Sequence, residues 1–412
     1  MTARSCRYRL CAAGVAILGL AVPARVAAQA PEPAAPSPFG HLTLGGDATA
    51  TISPSDTTAF FNYTNYDQNA LRAAQFRLMA EWRLSASVSL LGEVRAENVA
   101  GLDAAAWYVR WHPWSAEHLD IQVGRIPPVV GLFAREPYGR DNLLLAAPLA
   151  YQYLLSLRPD ALPASADDLI RMRGRGWEPS FPIGSTTVAP GIPIVSAFRW
   201  DTGAEVHWRD GRVDLAGALT RGSAAVPVVG RDVGHGVSWS GRAALDGPGG
   251  LTLGLSGSRG PWIQTSTLAL VPPGLQGEDT QTLLGADLEY GWGRWLVRAE
   301  ELRSVFEVPL VSAASPDTHL AVWSGYLESR YRLLPRWQLA GRVEYLSFSS
   351  IEGTLNGGAP TSWEAPVKRL STDLGYRAAR QLELRAGWQM NWRSGGRILN
   401  RGYPALQLLF WF

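Results

Sequence analysis

Cysteine is nearly missing. The 412 residues hold two, Cys6 and Cys11, so nothing after the eleventh position can form a disulfide or offer a thiol to a metal or substrate. Lysine is scarcer still: Lys368 is the single one among 38 basic residues, a bias that a GC-rich genome produces without selection for guanidinium chemistry. The six histidines, His41, His112, His118, His207, His235 and His319, are scattered and never fall in a His-x-x-x-His spacing, which leaves no metal-ligand pattern. There is no Walker motif, no Gly-x-Gly-x-x-Gly, and no basic stripe interleaved with aromatics, so nucleotide chemistry and nucleic-acid binding have no residues to rest on. Beyond the first thirty residues no run of ~18 apolar residues occurs, which excludes helical membrane spans.

What is present is aromatic and apolar content in short pieces. Tryptophan numbers 17 and charged residues only 18% of the chain. The N-terminus reads as a secretory signal over residues 1–28. Arg4, Arg7 and Arg9 precede the apolar run Leu10 to Val22, and Val26-Ala27-Ala28 supplies small residues for cleavage before Gln29. Neither cysteine follows the apolar run, which disfavours a lipoprotein anchor. With this segment go four arginines, and the formal +2 of the whole chain becomes −2; net charge selects no partner. Residues 29–39, rich in Pro and Ala, read as a short tail.

From there on the pattern is period two. Strands are predicted at 40–52, 70–84, 87–97, 104–112, 118–124, 199–209, 211–220, 236–245, 250–259, 281–290, 294–304, 321–333, 337–347, 368–377, 381–392 and 403–412, most about ten residues long, the length a tilted strand needs to cross a bilayer. Phe76, Leu78, Ala80 and Trp82 oppose Gln75, Arg77, Glu81 and Arg83. Leu382, Leu384, Ala386, Trp388 and Met390 oppose Glu383, Arg385, Gln389 and Asn391. A soluble sandwich also alternates, so alternation alone leaves two fold classes open. The connections separate them. Tight turns such as Asp210-Gly211 and Gly291-Trp292-Gly293 follow the even-numbered strands, and longer connections generally follow the odd ones. A soluble Greek key has no reason to keep that rhythm. Trp82, Trp111, Trp208, Trp292, Trp337, Tyr376 and Trp392 fall near strand ends, where an amphipathic ring suits a membrane–water interface.

The chain ends on Tyr403-Pro-Ala-Leu-Gln-Leu-Leu-Phe-Trp-Phe412, with Leu406, Leu408, Phe410 and Phe412 on one face. An apolar terminal strand exposed in water would be an aggregation hazard, and closing a barrel in lipid removes it. Here the chain resembles Gram-negative outer-membrane β-barrel proteins, which finish on an aromatic residue, usually Phe. The resemblance implies that Phe412, with Phe410, is read by the barrel-assembly machinery, and that lipid and lipopolysaccharide surround the wall. The expected fold is all-β: a transmembrane antiparallel β-barrel over residues 40–412, of about sixteen strands with fourteen or eighteen as the bounds. Assembly as a homotrimer stays open.

One connection is out of scale. Residues 125–198 form a long third external loop with apolar stretches of their own, Leu143-Leu144-Leu145 and Leu149 to Leu157, which belong in or over the lumen. Insertions of that length in compact folds are usually functional. Ser165, Asp167 and Asp168, then Arg171 and Arg173 before Gly174, predict a short helix at 166–173. General porins fold their third loop inward, and this chain is similar in loop order; Gly124-Arg125-Ile126-Pro127-Pro128 resembles the corresponding turn in phosphate-selective-type porins. Candidate constriction residues are Arg125, Arg135, Arg140, Arg158, Arg171, Arg173 and Arg175 with Asp167 and Asp168. Either they line an eyelet that concentrates anions, or they pair with the loop's own acids and hold its shape. Arg77, Arg95, Arg110, Arg298, Arg330, Arg342 and Arg385 fall on the lumen wall in register with acids, as a filter or as ion-pair ladders.

The expected function is an outer-membrane channel for passive diffusion of small hydrophilic solutes, mildly anion-preferring, with no catalytic residues, cofactor or metal and no nucleic-acid partner. The alternative is a plugged barrel acting as surface receptor, adhesin or assembly partner. An outer-membrane hydrolase built on His235 and Ser238 comes third.

Overall fold

In the computed structural model, the described residues are 41–54, 59–64, 69–98, 101–114, 118–135, 139–197, 200–227, 236–276, 279–311, 317–395 and 402–412. The signal at 1–28, the tail at 29–39 and His235 lie outside them.

Sixteen strands close into one barrel, each antiparallel to the next in sequence. They are β1 (Leu42–Ile52), β2 (Ala74–Arg83), β3 (Val88–Glu97), β4 (Asp103–Trp111), β5 (Leu119–Ile126), β6 (Asp201–Asp210), β7 (Val213–Thr220) and β8 (Ser238–Asp246). Then come β9 (Leu251–Pro261), β10 (Thr280–Trp292), β11 (Trp295–Pro309), β12 (Asp317–Leu334), β13 (Trp337–Phe348), β14 (Val367–Ala379), β15 (Leu382–Arg393) and β16 (Gly402–Trp411). The predicted strand set holds, including the small-residue pair β8 and β9. The seam is β1 against β16, from Asp47 opposite Trp411 to Ile52 opposite Leu406. Phe412 extends it by exchanging backbone hydrogen bonds with Gly46. Residue 46 has to be glycine: a Cβ there would run into the Arg77 carbonyl of β2 and lie 2.8 Å from the Phe412 ring.

The polarity is inverted relative to a water-soluble barrel. Outward positions carry exposed Trp107, Val123, Leu219, Leu255 and Leu408, with Trp107 58% and Leu219 60% accessible. Inward positions bury Arg77, Glu93, Arg95, Glu205, Arg242, Arg342 and Arg369. Only lipid around the wall makes that arrangement stable. At the end where the tight turns lie, Tyr290, Trp292, Trp295 and Tyr331 form a continuous file of rings with centroids 5.0, 5.9 and 4.5 Å apart, and Trp337 packs on Tyr376 at 4.7 Å. This is one girdle of an apolar band.

The insertion leaves β5 after Ile126 and reaches β6 at Asp201, two residues later at each end than the alternation indicated. It contains α1 (Leu149–Gln152), α2 (Ala166–Met172) and a two-residue ribbon pairing Ala161 and Leu162 with Gly184 and Ile183. The predicted helix is present, with Asp168 accepting from the Ser165 N–H at 3.1 Å at its start.

Candidate functional site: the lumen and its insertion

From its loop-end entry the insertion goes down, not across. Gly139 lies against the inward side chains Thr49 and Leu409 of β1 and β16. Leu143 and Leu144 pack on Ala340 and Leu296; Leu296 is the second residue of β11, next to the tight turn, so the tip spans nearly the full height of the lumen. The chain then climbs back through Ala146 to Leu157, almost wholly buried, into a large apolar core. That core joins Leu149, Leu154, Leu155, Leu169 and Ile194 to the inward, loop-end residues Leu283, Phe306, Leu320, Val322 and Phe348 of β10 to β13. Inward apolar residues at that end of the wall are thus the counterpart of the insertion's leucines.

Irregular backbone at that depth has no ladder to bond to, and unpaired buried N–H and C=O groups are costly. The wall's ionic side chains supply the partners. Arg298 donates to the Asp141 carbonyl at 3.2 Å and Arg385 to that of Asn142 at 2.9 Å. Asp373 accepts from the Leu145 N–H at 2.6 Å and Glu344 from the Leu149 N–H at 2.7 Å. Arg342 donates to Ala146 O at 2.6 Å and Arg369 to Ala147 O at 2.9 Å. Glu300 accepts from the Leu132 N–H and the Tyr151 hydroxyl. These groups also neutralise each other: Arg342 bridges Glu328 at 3.0 Å and Glu344 at 2.9 Å, and Arg369 shares Glu344 at 2.8 Å. Every one of these wall contacts comes from β11 to β15.

On the opposite side the wall charges pair among themselves. Arg77 holds Asp47 at 2.8 Å, Arg95 holds Glu93, Arg242 holds Asp287, and Arg110 holds Asp120 at 3.1 Å. The first three pairs are buried; water reaches Arg110, which keeps 26% of its side-chain surface, and Arg209 with Asp246 beside the tight turns. Arg140, next to Gly139 on the descending segment, is 63% exposed and 3.8 Å from Asp141.

The other insertion candidates disperse. Arg125 belongs to β5; it is buried, donating to the Trp200 and Ala104 carbonyls, and so is locked into the wall. Arg158 is buried and spends its guanidinium inside the insertion, on Asp160 and the carbonyls of Pro179 and Thr187. Arg171 pairs with Asp168 at 2.9 Å, Arg173 donates to Ser394 O at 3.0 Å, and Arg175 is exposed at the loop end. Arg135 closes a short 3-10 turn, Phe133–Arg135. Arg330 is an inward residue of β12, opposite Leu296 and Ala340, and close enough to Arg298, Arg332 and Arg385 to interact electrostatically with them. The candidates therefore do not form one ring.

A second loop, joining β13 to β14, fastens the insertion from above, and no motif in the sequence marks it. Trp363 is fully buried and donates to the Ala321 carbonyl at 2.9 Å. Next to it, Glu364 accepts from the N–H and hydroxyl of Ser156 and from the N–H groups of Gly174 and Ala365. Burial pushes the Glu364 carboxyl up from the ordinary glutamate value, with those four donors acting against it. Asp167, half-buried, is held below the usual carboxylate range by the Leu355 N–H and the Thr354 hydroxyl of the same loop.

No protein-family model and no curated protein matches this sequence. Solved structures do match. An anion-selective porin from Comamonas acidovorans superposes with a TM-score of 0.53 at 9% identity, over 90% of this chain and 99% of that one. The chain folds as a porin-like outer-membrane β-barrel. The outer membrane channel DcaP of Acinetobacter baumannii gives a TM-score of 0.52 at 9% identity, covering 90% and 97%. OmpT, an outer membrane protein of Vibrio cholerae in a trimer form, gives 0.51 at 9%, covering 90% and 99%. At these identities the likeness carries the fold of the porin-like barrel and nothing finer. With that fold, the tight turns mark the periplasmic end and the long connections the external one.

Proposed function

We propose that this porin-like barrel is a passive channel for small hydrophilic solutes, with its pathway on the β2 to β9 side of the lumen and no catalytic role. The observation that carries the reading is the asymmetry of the insertion's anchoring. At depth most of its backbone bonds to the wall go to β11 to β15, with Gly131 reaching Ser256 of β9 as well, while the charges across the lumen pair with each other and those near the periplasmic end, Arg110 and Arg209, keep solvent. Arg140, 63% exposed on the descending segment, with Arg330 toward the periplasmic end, supports a mild anion preference. Guanidinium groups in a narrow, low-dielectric passage concentrate anions.

A plugged barrel serving as receptor or assembly partner is favoured by the depth of the insertion and by its apolar core. Single-channel recording in planar bilayers separates the two. The channel reading expects steps from the intact protein and severalfold larger steps when residues 139–147 are replaced by a short Gly-Ser link. Silence from both proteins would leave the plugged barrel. Hydrolysis is the weakest reading: of its two residues, Ser238 is a buried residue of β8, and a lipase or protease activity lost in His235→Ala would be needed to revive it.

A further inference from the structure

Across the seam the outer wall is not smooth. A groove of about 620 Å³ crosses it on the lipid side, from β13 over β14, β15 and β16 to the end of β1. It follows one row of paired residues: Leu339 opposite Leu374, Leu374 opposite Ala386, Ala386 opposite Leu406, Leu406 opposite Ile52. Ala386, with Thr372 and Pro404 in the adjoining row, keeps the floor low between Leu374, Trp388 and Leu406. Five strands at the usual spacing make the groove about 19 Å long, enough to seat an acyl chain from a leaflet about 15 Å deep. Its section, roughly 30 Å², fits one chain and is a fraction of a helical cylinder 10–12 Å across. The lower end is fixed by the girdle. Leu339 and Leu374 lie two residues above Trp337 and Tyr376, the packed ring pair at the periplasmic boundary, and from there the groove climbs obliquely to Ile52 at the loop end of β1. The turns below it are basic and hold no acid. Arg336 precedes β13 and Arg380 follows β14, so the two flank that ring pair, and both are exposed. Neither 333–336 nor 378–381 contains Asp or Glu, whereas the turns after β6 and β8 begin on Asp210 and Asp246.

We propose that this groove seats one anionic phospholipid of the periplasmic leaflet, its acyl chain along the row from Leu339 to Ile52 and its phosphate on Arg336 and Arg380. A trough left unfilled in hydrocarbon forfeits dispersion contacts along its whole lining, and a flexible chain can follow the oblique path that recovers them. The head group is set by charge. Guanidinium groups offer a phosphate paired N–H donors, and a basic site at the membrane surface favours a lipid of net negative charge. A zwitterionic head group carries an ammonium that the same arginines repel. The phosphates of lipopolysaccharide lie at the opposite rim, beyond the reach of Arg336 and Arg380. The inference rests on the barrel lying in a membrane and is indifferent to whether its lumen conducts.

The test uses the mature chain in mild detergent, with folding checked by the migration shift on boiling. Phosphatidylglycerol, phosphatidylethanolamine and lipid A are offered in equal amounts, and the lipids retained are counted by native mass spectrometry. The wild type is expected to hold one phosphatidylglycerol per chain, on the order of tenfold over phosphatidylethanolamine. Arg336→Gln with Arg380→Gln should bring those two lipids level. Arg83→Gln with Arg212→Gln, exposed at turns away from the groove, should leave the preference intact. Ala386→Phe, which fills the floor, should lose both phospholipids; should it fail to fold, Thr372→Phe on the same floor takes its place. Equal retention by the wild type, no loss in the Arg336 and Arg380 pair or in the filled groove, or the same loss in the Arg83 and Arg212 pair overturns the proposal. Preferential retention of lipid A overturns it in favour of the external leaflet. A mass that is a multiple of the chain, free of phospholipid and broken up by Ala386→Phe, overturns it in favour of a protein covering the groove.

Discussion

Two halves of one wall use the same residue types for different ends. Along β1 to β9 the inward arginines and acids meet each other: Arg77 with Asp47, Arg95 with Glu93, Arg110 with Asp120. Along β11 to β15 they meet each other and also the backbone of the insertion, as Arg342, Arg369, Glu344 and Asp373 do. The first half is a lining whose pairs depend only on each other, buried at Arg77 and Arg95 and open to water at Arg110. The second is a socket, in which removing one side chain strands an opposite charge and a backbone group together. Charge alternation along a transmembrane strand therefore does not reveal what the charge is for. That depends on whether irregular backbone or water packs against it.

The contrast can be broken most forcefully at Arg342. Arg342→Met leaves Glu328 buried without its cation and Glu344 with Arg369 alone, and should cost about 3–5 kcal/mol, whereas Arg110→Met removes a partly solvated pair and should cost at most ~1 kcal/mol; urea unfolding in detergent, followed by tryptophan fluorescence, measures both. Equal losses would erase the distinction between socket and lining.

Glu364→Ala removes the acceptor of four donors and should weaken the external clasp by about 1–3 kcal/mol, seen as faster hydrogen exchange at Ser156 and Gly174. The same carboxyl gives the clasp a pH dependence. Its value is raised in the folded state, so the clasped form binds the proton more tightly than the opened form. Stability is then fullest below the ordinary glutamate value near 4.5 and declines as pH rises through the raised one. Exchange at these amides, corrected for intrinsic rate, should quicken over that window and lose its pH dependence in Glu364→Gln.

Smallest are the selectivity effects. Arg140→Ala should move the reversal potential in a salt gradient by a few millivolts toward cations, a shift of the size expected for one exposed charge near a wet pathway. Arg171→Ala and Arg175→Ala, at the external end, should move it less. A larger shift from the latter pair would relocate the pathway.

The barrel was legible in the sequence because each strand answers to two fixed solvents, lipid and the lumen, and period two records both. Even the weak β8 and β9 were readable from their turns. The insertion was legible as apolar and therefore inward, but not in its path. Leu145 bonds Asp373 and Ala147 bonds Arg369, each more than 200 positions away, and irregular backbone leaves no periodic trace. Arg125 falls in the loop by sequence because the strand signal fades at Gly124, whose φ of +139° breaks the alternation while pairing continues to Ile126. Glu364 was missed because a single acid in a loop has no pattern.

The partners that cap the insertion's backbone have a consequence for how the molecule is made. They lie on β11 to β15, which leave the ribosome and the translocon after residues 127–200. Until those late strands arrive, the early segment has nothing to neutralise its amides and carbonyls, so it cannot settle beforehand as a prefabricated core. Threading must therefore coincide with curling of the C-terminal half, before β1 meets β16 and the cylinder shuts.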